Sequence, residues 1–254
     1  MQYRVKAHNT ATASTNKIHD DSVARRLGFR GGLVPGVDVY AYLCHLPAER
    51  WGKAWLERGT ITARFESPVY DGDEVEISGE AGGDEELTLT LSDPSGARCA
   101  VARASLPAQP SSTPSPADWP SMAPPAEPPP ASAETLAARR SAASSRCSLP
   151  IGPRSTSTTS RGPPLFRGWP IGLVAAQGQL RADGQRGHGT WIHVEGNVQL
   201  LGGGRWRPGR DPCPRDRGSE RGGHRFVDLD VLQLVGDRPV ARTAHTAIYQ
   251  PRGT

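Results

Sequence analysis

Apolar residues follow two different periods along this chain, and each period stops and restarts at definite places. In "DDSVARRLGF", Val23, Ala24 and Leu27 fall at i, i+1 and i+4 behind two acids, with Gly28 as a stop, which predicts a short helix. From Gly36 to about Leu46, residues Val37, Tyr40, Ala41, Cys44 and His45 keep helical spacing, and Pro47 is expected to end or kink that helix. Beyond it the period becomes two. "GTITARFESPVY" sets Ile61, Ala63 and Phe65 inward against Thr62, Arg64 and Glu66, and "EVEISGE" alternates through Val75 and Ile77. Asp71-Gly72 supplies a tight reversal between them. "ELTLTLSDPSGARCAVARASL" predicts a hairpin: Leu87, Leu89 and Leu91 on one face, a turn at Asp93–Gly96, and Cys99, Val101 and Ala104 in the return arm. A helix followed by antiparallel strands predicts an α+β unit over residues 1–106, its sheet wrapped around a buried helix.

Over residues 107–187 both periods vanish. Ten of the 24 prolines fall between Pro107 and Pro130, mixed with Ser and Ala, which predicts a Pro/Ser/Ala/Arg-rich low-complexity segment unusually long for the inside of one domain. Alternation returns over 188–254. "GTWIHVEGNVQLLG" alternates Trp191, His193 and Glu195 with Ile192, Val194 and Gly196, then runs on through Val198 and Leu200. "HRFVDLDVLQLVGDRPVARTAHTAIYQ" predicts a hairpin with Phe226, Leu229 and Val231 in one arm, a turn at Gly236-Asp237, and Val240, Ala244 and Ile248 in the other. His193, His224 and His245 are then expected on strand surfaces. Residues 203–222 show no period. Two readings stand for the unpatterned stretches: a natural linker and loop, or compensating insertions or deletions that displace the reading frame, since GC-rich DNA in a wrong frame yields Arg, Pro, Gly, Ser and Ala. Under the second, the C-terminal strands have lost the helix they would wrap and keep an open edge.

Composition narrows the classes. Of 254 residues 36% are hydrophobic, with 29 Gly and 24 Pro, so some segments hold little apolar surface to bury. A net charge of +4 raises nucleic-acid binding, but Arg205, Arg207, Arg210, Arg215, Arg217 and Arg221 carry Trp206 without repeated stacking aromatics. A solvated arginine-rich loop is expected there, and no nucleic-acid partner. Cys44, Cys99, Cys147 and Cys213 form no close pair, which predicts neither a metal site nor a disulfide framework and suits a reducing compartment. No charged-then-apolar leader and no 18-residue apolar run is seen, so the expected location is the cytoplasm, without membrane contact.

The chemistry gathers in "STNKIHDDSVARRLGFRGGLVPG", where Asn16, His19, Asp20 and Asp21 precede glycines 31, 32 and 36 at a helix start. Asp20 and Asp21 fit as caps of the helix that follows, or as acids of a rearranged proton-handling site. Asn16, Ile18 and His19, the loop "GFRGGLVPGV" and the strand-turn-strand "RFESPVYDGDEVEISGE" together resemble the MaoC-like hydratases over about residues 10–105. The resemblance implies a hotdog fold, a curved antiparallel sheet around a central helix. The same resemblance implies a whole N-terminal hotdog, with the C-terminal strands as the remains of a second.

It also implies an enoyl-CoA hydratase or 3-hydroxyacyl-CoA dehydratase that needs no cofactor beyond its CoA thioester substrate. The alternative is a thioester-binding or thioesterase-like protein without hydratase activity. By position His19 is the acid–base group, or else a structural histidine bonded to a loop carbonyl, Asn16 and Ser14 position water or shape the loop, Gly36 donates its N–H to the thioester oxygen, and Gly32 lies in the substrate loop. Ser14 stands where the family has Asp, Lys17 where it has Pro, and Pro35 where it often has His. Hotdog sheets pair edge to edge, so a homodimer is a further expectation.

Overall fold

In a computed structural model of the chain, residues 1–12, 14, 16–118, 191–202, 215–235 and 238–252 are described. Residues 119–190 and 203–214, which include most of the two unpatterned stretches, and the expected turn at Gly236-Asp237 lie outside them.

Three helices precede most of the strands. Helix α1 is Asp21–Arg26, α2 is Gly36–Leu43 and α3 is His45–Arg58. Asp20 caps α1, its carboxylate accepting from the backbone N–H groups of Ser22 and Val23. Gly28, at φ 90°, takes the left-handed turn that leaves the helix. Because the cap satisfies two otherwise orphan donors, Asp20→Ala should lower the urea midpoint of unfolding.

Pro47 does not end the central helix. It sits in the first turn of α3, where a missing N–H leaves nothing unpaired, and the chain breaks earlier, at Cys44. The whole of α3 beyond it went unread, for its period is interrupted at Gly52, whose φ of 55° kinks the helix.

The strands form one antiparallel sheet of nine. They are β1 (Gln2–Lys6), β2 (Thr60–Phe65), β3 (Glu74–Ala81), β4 (Glu86–Ser92), β5 (Arg98–Ser105), β6 (Ile192–Leu200), β7 (Arg215–Arg221), β8 (His224–Val235) and β9 (Arg238–Gln250). Their order is β1-β3-β4-β5-β2-β6-β9-β8-β7. The β2–β6 ladder, Thr60 opposite Gln199 through Arg64 opposite Glu195, joins the N-terminal strands to the C-terminal ones.

Tyr40 and Leu43 of α2, with Leu46 and Trp55 of α3, pack on Ile61, Ile77 and Leu89 of the sheet. Each such side chain contributes roughly 1.5–3 kcal/mol by leaving water. The Tyr40 hydroxyl donates to the Ile61 carbonyl at 2.7 Å and fixes α2 against β2. Opposite the three leucines of β4 stand Ala100, Ala102 and Ala104, small residues that let the helix approach. Val101, expected inward, is therefore half-exposed: the register shifts at Leu91/Ser92, which inserts Cys99 and moves the inner face onto the alanines.

The C-terminal strands differ from expectation in two ways. Arg215–Arg221, within the stretch expected to be a loop, pairs along its length with β8. In β9 the inner face is Ala241, Thr243, His245, Ala247 and Tyr249, one residue out of phase with the expected Val240, Ala244 and Ile248. Alternation alone could not choose between two faces that both mix apolar and polar residues, and a slip of one residue exchanges them. The described residues from 191 onward contribute strands alone. No helix among the described residues is long and apolar enough to cross a membrane.

Candidate functional site

The segment from Ser14 to Gly36 folds into a turn, α1 and a return loop that delivers the chain to α2. Lys17–His19 forms one 3-10 turn. The Ser14 hydroxyl accepts from the Asn16 N–H at 3.1 Å, a loop-shaping contact. Asp20 caps α1 and Asp21 reaches across to accept from the Gly32 N–H at 2.8 Å, so both acids are spent on structure. Their carboxyls are held below the usual range, Asp20 chiefly by the Ser22 hydroxyl and Asp21 chiefly by the Gly32 N–H.

His19 and Asn16 are buried together. His19 Nδ1 lies 2.7 Å from the Leu33 carbonyl oxygen, which can only accept, so the ring proton is on Nδ1 and Nε2 carries the lone pair. Asn16 Nδ2 faces that Nε2 at 3.3 Å and donates to the Trp191 carbonyl at 2.8 Å. Asn16 Oδ1 accepts from the Trp191 N–H at 3.1 Å. One side chain thus ties the loop before α1 to the chain entering β6. Burial lowers the His19 pKa, and the Leu33 contact offsets that in part.

Gly32 and Gly36 are glycines because there is no room for more. A Cβ on Gly32 would strike the carbonyl of His19. One on Gly36 would stand 2.6 Å from Cβ and 2.9 Å from Nδ1 of His193. Pro35 offers no side-chain cap to α2, whose first residue, Gly36, packs against His193 of β6.

Two of the three strand histidines are not on the surface. His193 and His245 are buried side by side on β6 and β9, with ring centroids 4.1 Å apart. Trp191 Nε1 donates to His245 Nε2 at 3.3 Å, and Phe65 lies 4.4 Å from the His193 ring. Burial holds His245 down at about 4, and burial together with His245 keeps His193 well below its ordinary value. His224, by contrast, is only half-buried, as expected of a strand-surface residue.

This pair was missed because a bulge separates the two phases of β6. Val194 is the extra residue, so Trp191 and His193 share an inner face with Gly196, Val198 and Leu200. The available signal was the pair of histidines on adjoining strands, each two residues from an aromatic or a small inward position. Among the described residues, no group of three His, Cys, Asp or Glu side chains is arranged to hold a metal ion. Cys44 and Cys99 are free and buried, and burial pushes both thiols up, Cys99 to about 11.

No family model and no curated protein matches the sequence. Solved structures do. A provisionally named thioesterase II from Thermobifida fusca YX superposes with a TM-score of 0.54 at 14% identity, over 98% of this chain and 92% of that one. An N-terminal dehydratase from the difficidin assembly line superposes with a TM-score of 0.53 at 12% identity, over 100% and 94%. With the antiparallel sheet and its few helices, these likenesses establish an α+β hotdog fold.

Proposed function

We propose that this protein binds an acyl thioester at the start of α2 and hydrates an enoyl-CoA, or dehydrates the 3-hydroxyacyl-CoA in reverse, as MaoC-like enzymes do. The observation that carries the reading is Gly36, which opens the first turn of α2, without a side-chain cap, against buried imidazole. The free N–H groups and positive dipole end of that turn suit a thioester oxygen on which enolate charge develops. His19 is the acid–base group, acting through Nε2. Its long 3.3 Å contact to Asn16 yields readily to a water, and its lowered pKa keeps the lone pair available at neutral pH. Asn16 and Ser14 shape the loop, and Gly32 lets it close on itself. The reaction draws on no cofactor beyond the CoA thioester, and the setting is the cytoplasm.

A second reading, thioester binding or hydrolysis without hydratase activity, is favoured by Ser14, which stands in the acid's place with its hydroxyl turned to the Asn16 N–H. The two separate on crotonyl-CoA. A hydratase consumes the enoyl absorbance, and His19→Ala should lower kcat on the order of a hundredfold or more with circular dichroism unchanged. Tight binding without turnover selects the second reading. The absence of both binding and turnover would sink the two together.

A further inference from the structure

His193 is 8% exposed, and its Nε2 lies 3.2 Å from the Glu195 carbonyl oxygen. A carbonyl oxygen only accepts, so the ring proton sits on Nε2 and Nδ1 carries a lone pair. That Nδ1 is buried with no hydrogen-bond partner. It faces the first turn of α2, 2.9 Å from where a Gly36 Cβ would stand. Glycine also clears the other side of the ring: a Cβ on Gly196 would come within 3.0 Å of His193 Nε2 and 3.2 Å of Tyr40. The remaining walls are the His245, Tyr40 and Phe65 rings. A buried acceptor left unpaired at a helix start is costly in a folded protein, and a hydrogen bond from a bound donor would remove that cost.

We infer that His193 holds the attacking water of the thioester site, accepting a hydrogen bond from it at Nδ1, and so stands in for the carboxylate that Ser14 does not provide. The inference rests on the thioester reading above. The acid–base step stays with His19, while His193 orients the water through a neutral ring, which burial and the neighbouring His245 maintain. Trp191 fixes the tautomer of His245 behind it and is itself tied by Asn16 to the loop that carries His19. One connected set of contacts therefore sets both histidines.

Two substitutions at this position separate water-holding from packing. Phenylalanine keeps the ring and loses the acceptor; asparagine is smaller and keeps an acceptor near the place of Nδ1. His193→Phe should lower kcat on crotonyl-CoA on the order of a hundredfold with KM within about twofold, and His193→Asn should restore most of it. The reverse order, with Phe active and Asn inactive, would mean a packing role and overturn the inference.

A second measurement does not depend on variants that fold or on turnover. In ¹⁵N-histidine-labelled full-length protein, the His193 Nδ1 resonance should be that of an unprotonated nitrogen and should move when crotonyl-CoA is added. Calorimetry on the same sample reports binding. Binding without movement of that resonance overturns the role of His193 and leaves the thioester site standing. No binding at all overturns the site and this inference with it.

Discussion

Gly32→Ala should destabilise the protein by about 3 kcal/mol and, if the proposed thioester site is correct, abolish thioester binding along with it. The new methyl would meet the carbonyl oxygen and carbon of His19, which are backbone and cannot turn aside. That peptide is held from several directions. Asn9 Nδ2 donates to the same carbonyl at 3.0 Å, and Leu33 N–H donates to the neighbouring Ile18 carbonyl at 3.2 Å. Moving it strains the Asp21 contact to the Gly32 N–H and the His19 contact to the Leu33 carbonyl. Gly31→Ala is the control. Its methyl would come no closer than 3.1 Å, and to the end of the Asp21 side chain, so the cost should stay below about 1 kcal/mol. Urea unfolding of the two variants checks the pair. A Gly32→Ala protein within about 0.5 kcal/mol of wild type would mean the loop is not packed as described.

That contact also shows why one half of the fold was legible in the sequence and the other less so. Where one face is apolar and the other polar, as with Leu87, Leu89 and Leu91 against Thr88 and Thr90, alternation alone fixes the buried side. In β9 the buried side includes Thr243 and His245, so hydrophobicity pointed outward by one residue. Pairing with β6, across the bulge at Val194, and with β8 sets the phase. Arg215–Arg221 carries no apolar alternation at all and becomes a strand because β8 offers a ladder beside it. Edge strands rich in charge are a known way to resist further pairing.

The loop residues Asn16, His19, Gly32 and Gly36 could be picked out because they lie in one short stretch that resembles a family motif, and the structure gives a packing reason only for the two glycines, where a Cβ would clash. His193 and His245 could not, because their burial is decided by partners more than forty residues away in the sequence, on strands whose phase was itself ambiguous.

Stability should rise as pH increases from about 4 to about 6.5, and two substitutions should change that rise in opposite directions. His245 is held at about 4 in the folded protein by burial, against an ordinary 6.5. A folded pKa depressed in this way means the unfolded chain binds the proton more readily, so acid favours unfolding. The full contribution is present above 6.5, shrinks as pH falls below that, and is gone near 4. At one pKa unit per 1.36 kcal/mol, His245 accounts for about 3 kcal/mol across the window. His193 and His19 act in the same direction, as does His45, whose pKa burial also lowers.

Asp38 opposes them. Burial at the start of α2 raises its carboxyl to about 6 despite the hydroxyl of Thr10 donating to it at 2.5 Å. Its folded form holds the proton more firmly, so its contribution is full below about 3.8 and is lost as pH climbs through 6, a change of about 3 kcal/mol. His245 and Asp38 therefore nearly cancel, and the net rise comes chiefly from His193 and His19. Asp38→Asn, which keeps an acceptor for Thr10 and removes the buried charge, should steepen the rise and stabilise the protein at pH 7.5. His245→Phe should flatten it. The carboxylates of Asp20, Asp21 and Asp93 are depressed in the folded state by hydrogen bonds, so they lose their contribution only below this window. Urea midpoints at half-unit steps from pH 4 to 7.5 measure all three proteins. A wild-type profile that falls with pH would show that the histidines of β6 and β9 are not held neutral by burial, and the acceptor role given to His193 would fall with them.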